Sequence, residues 1–315
     1  MKNPTLDETR KRLISILIAS LSCDSTHYAK HPLRIVQAGK SLIGMNPEKP
    51  ILPLINWLEG FVHSYKQLNP EEFKVKPQAV EDFASMIEFE IQLKHGNTDK
   101  LIETASKLLS VSSGEPLFES LLLHSCKNAD LFPFYLSLYR SVLFCQGEEK
   151  AKFLGIGLKM LKTQMESNKI DESISIELQK LSLNRIDLAS CYMQVFNMPL
   201  IRGEEIKSKI PTVIFNTPNN GKGKSAKQTN PNDLRNTIIE KDSEFFEKSL
   251  THELFLNDRM AFYTLIKNIP EEKFSAHLIL LIDSGRTIFR YGKQELKPEL
   301  IKSFATEIRK VIFDG

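Results

Sequence analysis

The segment Gly221-Lys222-Gly223-Lys224-Ser225 puts two glycines, two lysines and a hydroxyl within five residues. Backbone N–H groups beside residues lacking a Cβ can cradle phosphate oxygens; Lys224 would neutralise them and Ser225 would hold a magnesium ion. Lys227 and Arg235 follow closely, and from Lys207 to Arg235 six basic residues face one acidic one, Asp233. With 42 Lys plus Arg against 39 Asp plus Glu over 315 residues, this stretch carries +5 and leaves −2 for the rest. Lys222, Lys224, Ser225, Lys227 and Arg235 are therefore the candidate contacts for a phosphate or other polyanion. No aromatic residue lies between Phe215 and Phe245, so the stretch offers no stacking of nucleic-acid bases.

Gly223-Lys224-Ser225 resembles the end of a phosphate-binding P-loop, and Thr212-Val213-Ile214-Phe215 reads as a short strand before it. The resemblance implies a nucleotide-binding alternative using Gly221 to Ser225. It departs from the pattern at Pro218, where the first glycine belongs, and over Ala226 to Pro231, which are too polar to open a buried helix. Asp283-Ser284-Gly285-Arg286-Thr287 resembles the metal motif of von Willebrand A domains, with Gly285 where that motif has serine. Only 32 residues follow Asp283, too few for the rest of such a fold. Residues Leu278 to Asp283 can be read as strand or helix. The helical reading is preferred: Pro270-Glu271-Glu272 supplies a first turn, Leu278, Leu281 and Ile282 share a face, and Gly285 ends it.

No other constellation is set for chemistry. His27 and His31 are four apart, but Pro32 puts His31 outside a helix. No serine sits in a GxSxG turn. Cys23, Cys126, Cys145 and Cys191 are scattered among apolar residues, as expected of small buried side chains in a reducing compartment. The reading therefore leans away from an enzyme and assigns no catalytic residue, metal or cofactor.

The elements that must position any site are helical. Thr5-Leu6-Asp7-Glu8 is a capping box, and Ile14, Leu17, Ile18 and Leu21 form an apolar stripe behind it. Further stripes are Ile51, Leu54, Ile55, Leu58 and Val62; Val80, Phe83, Ala84, Ile87 and Ile91; and Leu101, Ile102, Ala105, Leu108 and Leu109. Helices are also expected over 116–126, 131–145, 148–166 and 172–196, and at the C-terminus along Leu300, Ile301, Phe304, Ile308 and Val311. Alternation suited to a strand is not read before about residue 210. The fold class is mainly all-α: an irregular antiparallel helical bundle or stacked helical hairpins, with at most one or two short strands in the C-terminal third. The expected organisation is a helical N-terminal domain (1–205), a basic polar flexible insertion (206–236) and a smaller helical C-terminal module (237–315).

No apolar run reaches the roughly 18 to 20 residues that cross a bilayer, and the N-terminus lacks the pattern of a secretory signal, so the expectation is a cytoplasmic protein without a membrane. Helical assemblies without a catalytic set present faces to other proteins. The functional expectation is a non-enzymatic helical scaffold or adaptor that binds another protein, with the basic loop as a contact; nucleotide binding and sequence-independent nucleic-acid contact are the alternatives.

Overall fold

The structure is a computed structural model and describes residues 4–25, 31–69, 74–76, 85–95, 98–145, 149–162, 172–178, 181–216, 234 and 238–314. Its elements are α1 (Leu6–Leu21), α2 (Pro32–Ile43), α3 (Leu52–His63), α4 (Met86–His95), α5 (Thr98–Val111), α6 (Glu115–Ser125), α7 (Leu131–Phe144), α8 (Glu149–Lys162), β1 (Ser173–Glu177), α9 (Leu183–Phe196), α10 (Gly203–Lys209), β2 (Thr212–Asn216), α11 (Ser243–Asn268), α12 (Ala276–Tyr291) and α13 (Lys297–Phe313). The protein is mainly all-α. No described helix is long and apolar enough to cross a membrane.

Local chemistry sets many of the helix starts. Thr5 and Glu8 form the reciprocal capping box, with the Glu8 N–H donating to Thr5 Oγ1 at 3.2 Å. Pro32 fills the first position of α2, where a missing N–H costs nothing, and the His31 ring accepts from the Leu33 N–H at 3.2 Å. Ser275 caps α12, accepting from the Leu278 N–H at 3.1 Å.

Helix α2 is the hub. Ten of its 12 residues are buried, the pattern of a helix covered on all sides, and α1, α3, α7 and α12 pack around it. Gly39 lets α3 come close: a Cβ there would stand 2.6 Å from Leu58 Cδ1. Helix α12 lies along α9 as well as α2, and α13 covers α11 and α12. One cluster of buried apolar side chains runs from Leu13 to Ile312, so helices from both ends of the chain share a core.

The structure departs from the sequence reading in four places. The expected helix over 172–196 is two elements, β1 and then α9. Ser173-Ile174-Ser175-Ile176-Glu177 alternates polar and apolar, and Ile174 and Ile176 point into the core at 7% and 2% exposure. Two strands form, but β1 lies before the C-terminal third; it pairs in parallel with β2, Ser173 opposite Thr212 and Glu177 opposite Asn216. In α4 the face is reversed: Ile87 and Ile91 are 73% and 46% exposed, whereas Phe89 and Leu93 are buried. Val80, Phe83 and Ala84 lie outside the described residues.

The remaining departures concern α12. Residues Leu278 to Asp283 are helical, as preferred, yet Glu271–Lys273 form a separate 3-10 turn and α12 starts afresh at Ala276. Gly285 does not end the helix, which runs six residues further; it lies against Phe304.

Candidate functional site

Lys222, Lys224, Ser225, Lys227 and Arg235, with all of Gly221 to Ser225, lie outside the described residues. Asp283 is inside a helix, not at a strand end, and holds Arg286 one turn on at 2.6 Å. The structure instead brings together polar side chains that the sequence reading did not connect.

Four helices meet along a buried polar layer. Arg34, Gln37, Lys40 and Ser41 come from α2, Arg140 and Ser141 from α7, Asp187, Ser190 and Gln194 from α9, and Asp283, Ser284 and Thr287 from α12. Buried polar groups keep their place only when bonded, and here the bonds run between helices. Arg34 pairs with Asp187, and Ser284 Oγ donates to the same carboxylate at 3.5 Å. Ser141 Oγ donates to Gln37 Oε1 at 3.1 Å. Arg140 donates to Ser41 Oγ at 2.7 Å and, from its other nitrogen, to Gln194 Oε1. Gln194 Nε2 then donates to Thr287 Oγ1 at 3.0 Å, and that hydroxyl donates to the Asp283 carbonyl at 3.0 Å.

At one end the layer opens into a pocket of about 270 Å³. Arg140, Arg286 and Arg290 supply three guanidinium groups to its wall, joined by Gln194, Thr287 and Tyr291 and by apolar Leu143 and Met198. Arg286 and Arg290 are one helical turn apart on α12, which aims both at the same space. Asp283 offsets Arg286, and Arg290 lies 5.1 Å from the Tyr291 ring centroid. Arg140 differs: among the described residues its hydrogen bonds go to Ser41 and Gln194, both neutral, and no carboxylate lies within ion-pair distance.

Among the described residues, the charge count in this part of the protein is lopsided. Arg34, Lys40, Arg140 and Arg286 stand against Asp187 and Asp283. Burial lowers the pKa of Arg140. The Lys40 amine donates to the Arg140 carbonyl at 3.4 Å and sits 4.4 Å from the Phe144 ring centroid. Burial, then the positive charge of Arg140, pushes its pKa down to about 7.

The pocket has forked donors, and neither nearby cysteine lines it. Cys191, in the polar layer, and Cys145, at the end of α7, are buried, and burial raises both thiols, Cys145 to about 11, so they stay protonated near neutral pH. No group of three or more His, Cys, Asp or Glu side chains among the described residues is arranged to hold a metal. The arrangement can bind and orient an acidic group.

One sequence signal pointed to this place. Arg140 is the only charged residue in Leu131–Phe144, a helix otherwise made of apolar, aromatic and hydroxyl side chains. The partners Gln194, Arg286 and Arg290 lie 54 to 150 positions further on and carry no shared motif.

No protein-family model, curated protein or solved structure matches this chain.

Proposed function

We propose that this protein is a non-enzymatic helical adaptor that binds an acidic segment of another protein, seating a side-chain or terminal carboxylate among Arg140, Arg286 and Arg290. The observation that carries the reading is the Arg140 guanidinium, which is half-buried at the pocket wall and bonded only to neutral side chains among the described residues. A cation in that position is costly unless an anion joins it, and a carboxylate accepts two parallel N–H bonds from one guanidinium. Leu143, 49% exposed, and Met198 give the apolar part of a peptide a surface beside the charged group. The forked donors of the pocket wall support binding of an acidic group.

The test is affinity isolation of the full chain under mild conditions, followed by calorimetry with acidic peptides from whatever partner is recovered. Arg290 is exposed, so Arg290→Ala leaves the fold intact; a charge-assisted hydrogen bond is worth about 1.5–3 kcal/mol, so affinity should drop about tenfold or more. The affinity should also fall as salt rises. A partner that binds Arg290→Ala and Arg140→Gln as tightly as the parent protein, or equal binding of peptides with every Asp and Glu replaced by Asn and Gln, would refute the proposal.

A further inference from the structure

A second and larger cavity, of about 540 Å³, opens at the other end of the polar layer, between α2 and α3 on one side and the first turns of α9 and α12 on the other. Its volume is that of a small-molecule site. Phe61, Tyr65, Leu183 and Leu280 line it, and each is only partly buried by the protein itself. Phe61 and Tyr65, one turn apart on α3 and its end, meet edge to face with centroids 5.3 Å apart. At the floor lie Arg34 and Asp187, whose charges neutralise each other. This is the opposite of the arginine pocket: a fully charged ligand here would be buried opposite a pair that is already balanced, at the cost of its hydration.

From these features we infer that the cavity is a binding site for a neutral aromatic small molecule. Its ring lies against Phe61 and Tyr65, where offset and edge-on ring contacts add to apolar burial, and a single polar substituent faces the Arg34–Asp187 pair. The inference stands apart from the adaptor reading, because no side chain of the arginine pocket lines this cavity.

The protein contains its own reporter. Trp57, its one tryptophan, stacks on Phe61 at 5.0 Å between centroids and 12° between planes. The neutral dye N-phenyl-1-naphthylamine brightens in apolar surroundings and takes up tryptophan emission by energy transfer. Titrated into the full-length protein it should brighten saturably with one dye per chain, quench Trp57 in step, and be displaced by benzamide. Ala276→Phe and Leu280→Phe fill the cavity from α12 and should each weaken dye binding at least tenfold with unchanged helical circular dichroism; if one variant misfolds, the other decides. Arg290→Ala should bind the dye as the parent does, which separates failure of this inference from failure of the adaptor reading. No saturable binding, binding without Trp57 quenching, or undiminished binding in the folded cavity-filling variants would overturn the inference.

Discussion

Arg34 on α2 grips the carboxylate of Asp187 on α9 in the interior, with 4% and 11% of the two side chains exposed. The pair fastens the hub helix to α9 at the floor of the larger cavity. Removing one partner strands the other charge, a loss of about 3–5 kcal/mol, whereas replacing both with apolar residues of similar volume is far milder. Arg34→Met, which strands the buried Asp187 carboxylate, should therefore be severely destabilised in urea unfolding, and Arg34→Met combined with Asp187→Leu should recover most of the loss. Equal destabilisation of the single and double variants would mean that the pairing is not the source of the effect.

Two glycines inside helices should respond to alanine with opposite signs. A Cβ on Gly285 would stand 2.8 Å from Phe304 Cε1 and 3.3 Å from Phe262 Cε1, whereas one on Gly60 meets nothing within 4 Å. Alanine favours a helix interior over glycine by about 1 kcal/mol, and overpacking a core costs about 1–3 kcal/mol. Gly60→Ala should raise the melting temperature, and Gly285→Ala should lower it. A stabilised Gly285→Ala would show that α12 and α13 slide apart at little cost.

Acid should weaken the protein through His31. Its ring is buried, 1% exposed, accepts from the Leu33 N–H, and meets Phe134 edge-on at 5.0 Å. Burial first, and the charge of Arg34 second, push its pKa from 6.5 down to about 4. Between those values the unfolded chain binds a proton that the folded chain refuses, so stability falls as pH drops from about 6.5 towards 4, by about 3 kcal/mol in all. Denaturant midpoints taken across that range should show the slope, and His31→Gln should flatten it. An unchanged slope in His31→Gln would assign the acid sensitivity to other groups.

Sequence periodicity was most informative where a helix has one buried side and a chemical marker at its start. The capping box before α1 and the stripe Ile51 to Val62 both lie where the pattern puts them, and Pro32 leaves His31 outside α2 as expected. The phase of α4 was not legible: Ile87 and Ile91 offer an apolar face as good as that of Phe89 and Leu93, and only the packing of Phe89 against the rest of the core selects the inner face. Strand β1 was hidden because five alternating residues become a strand only when a partner 39 positions away is aligned beside them. Gly285 read as a stop, although the same missing side chain also admits an aromatic ring from another helix. The arginine pocket depends on three helices distant in sequence; Arg140 alone, as a single charge in an apolar helix, hinted at it.

The parallel pairing of β1 with β2 also orders events in time. An antiparallel hairpin can zip from its turn, but Ser173 and Thr212 meet only after the chain between them has doubled back through α9 and α10. Closing so long a loop costs entropy before any strand hydrogen bond is returned. The strands are therefore expected to pair after the helices dock, so Ile174→Ala or Ile176→Ala should speed unfolding more than it slows refolding in stopped-flow measurements.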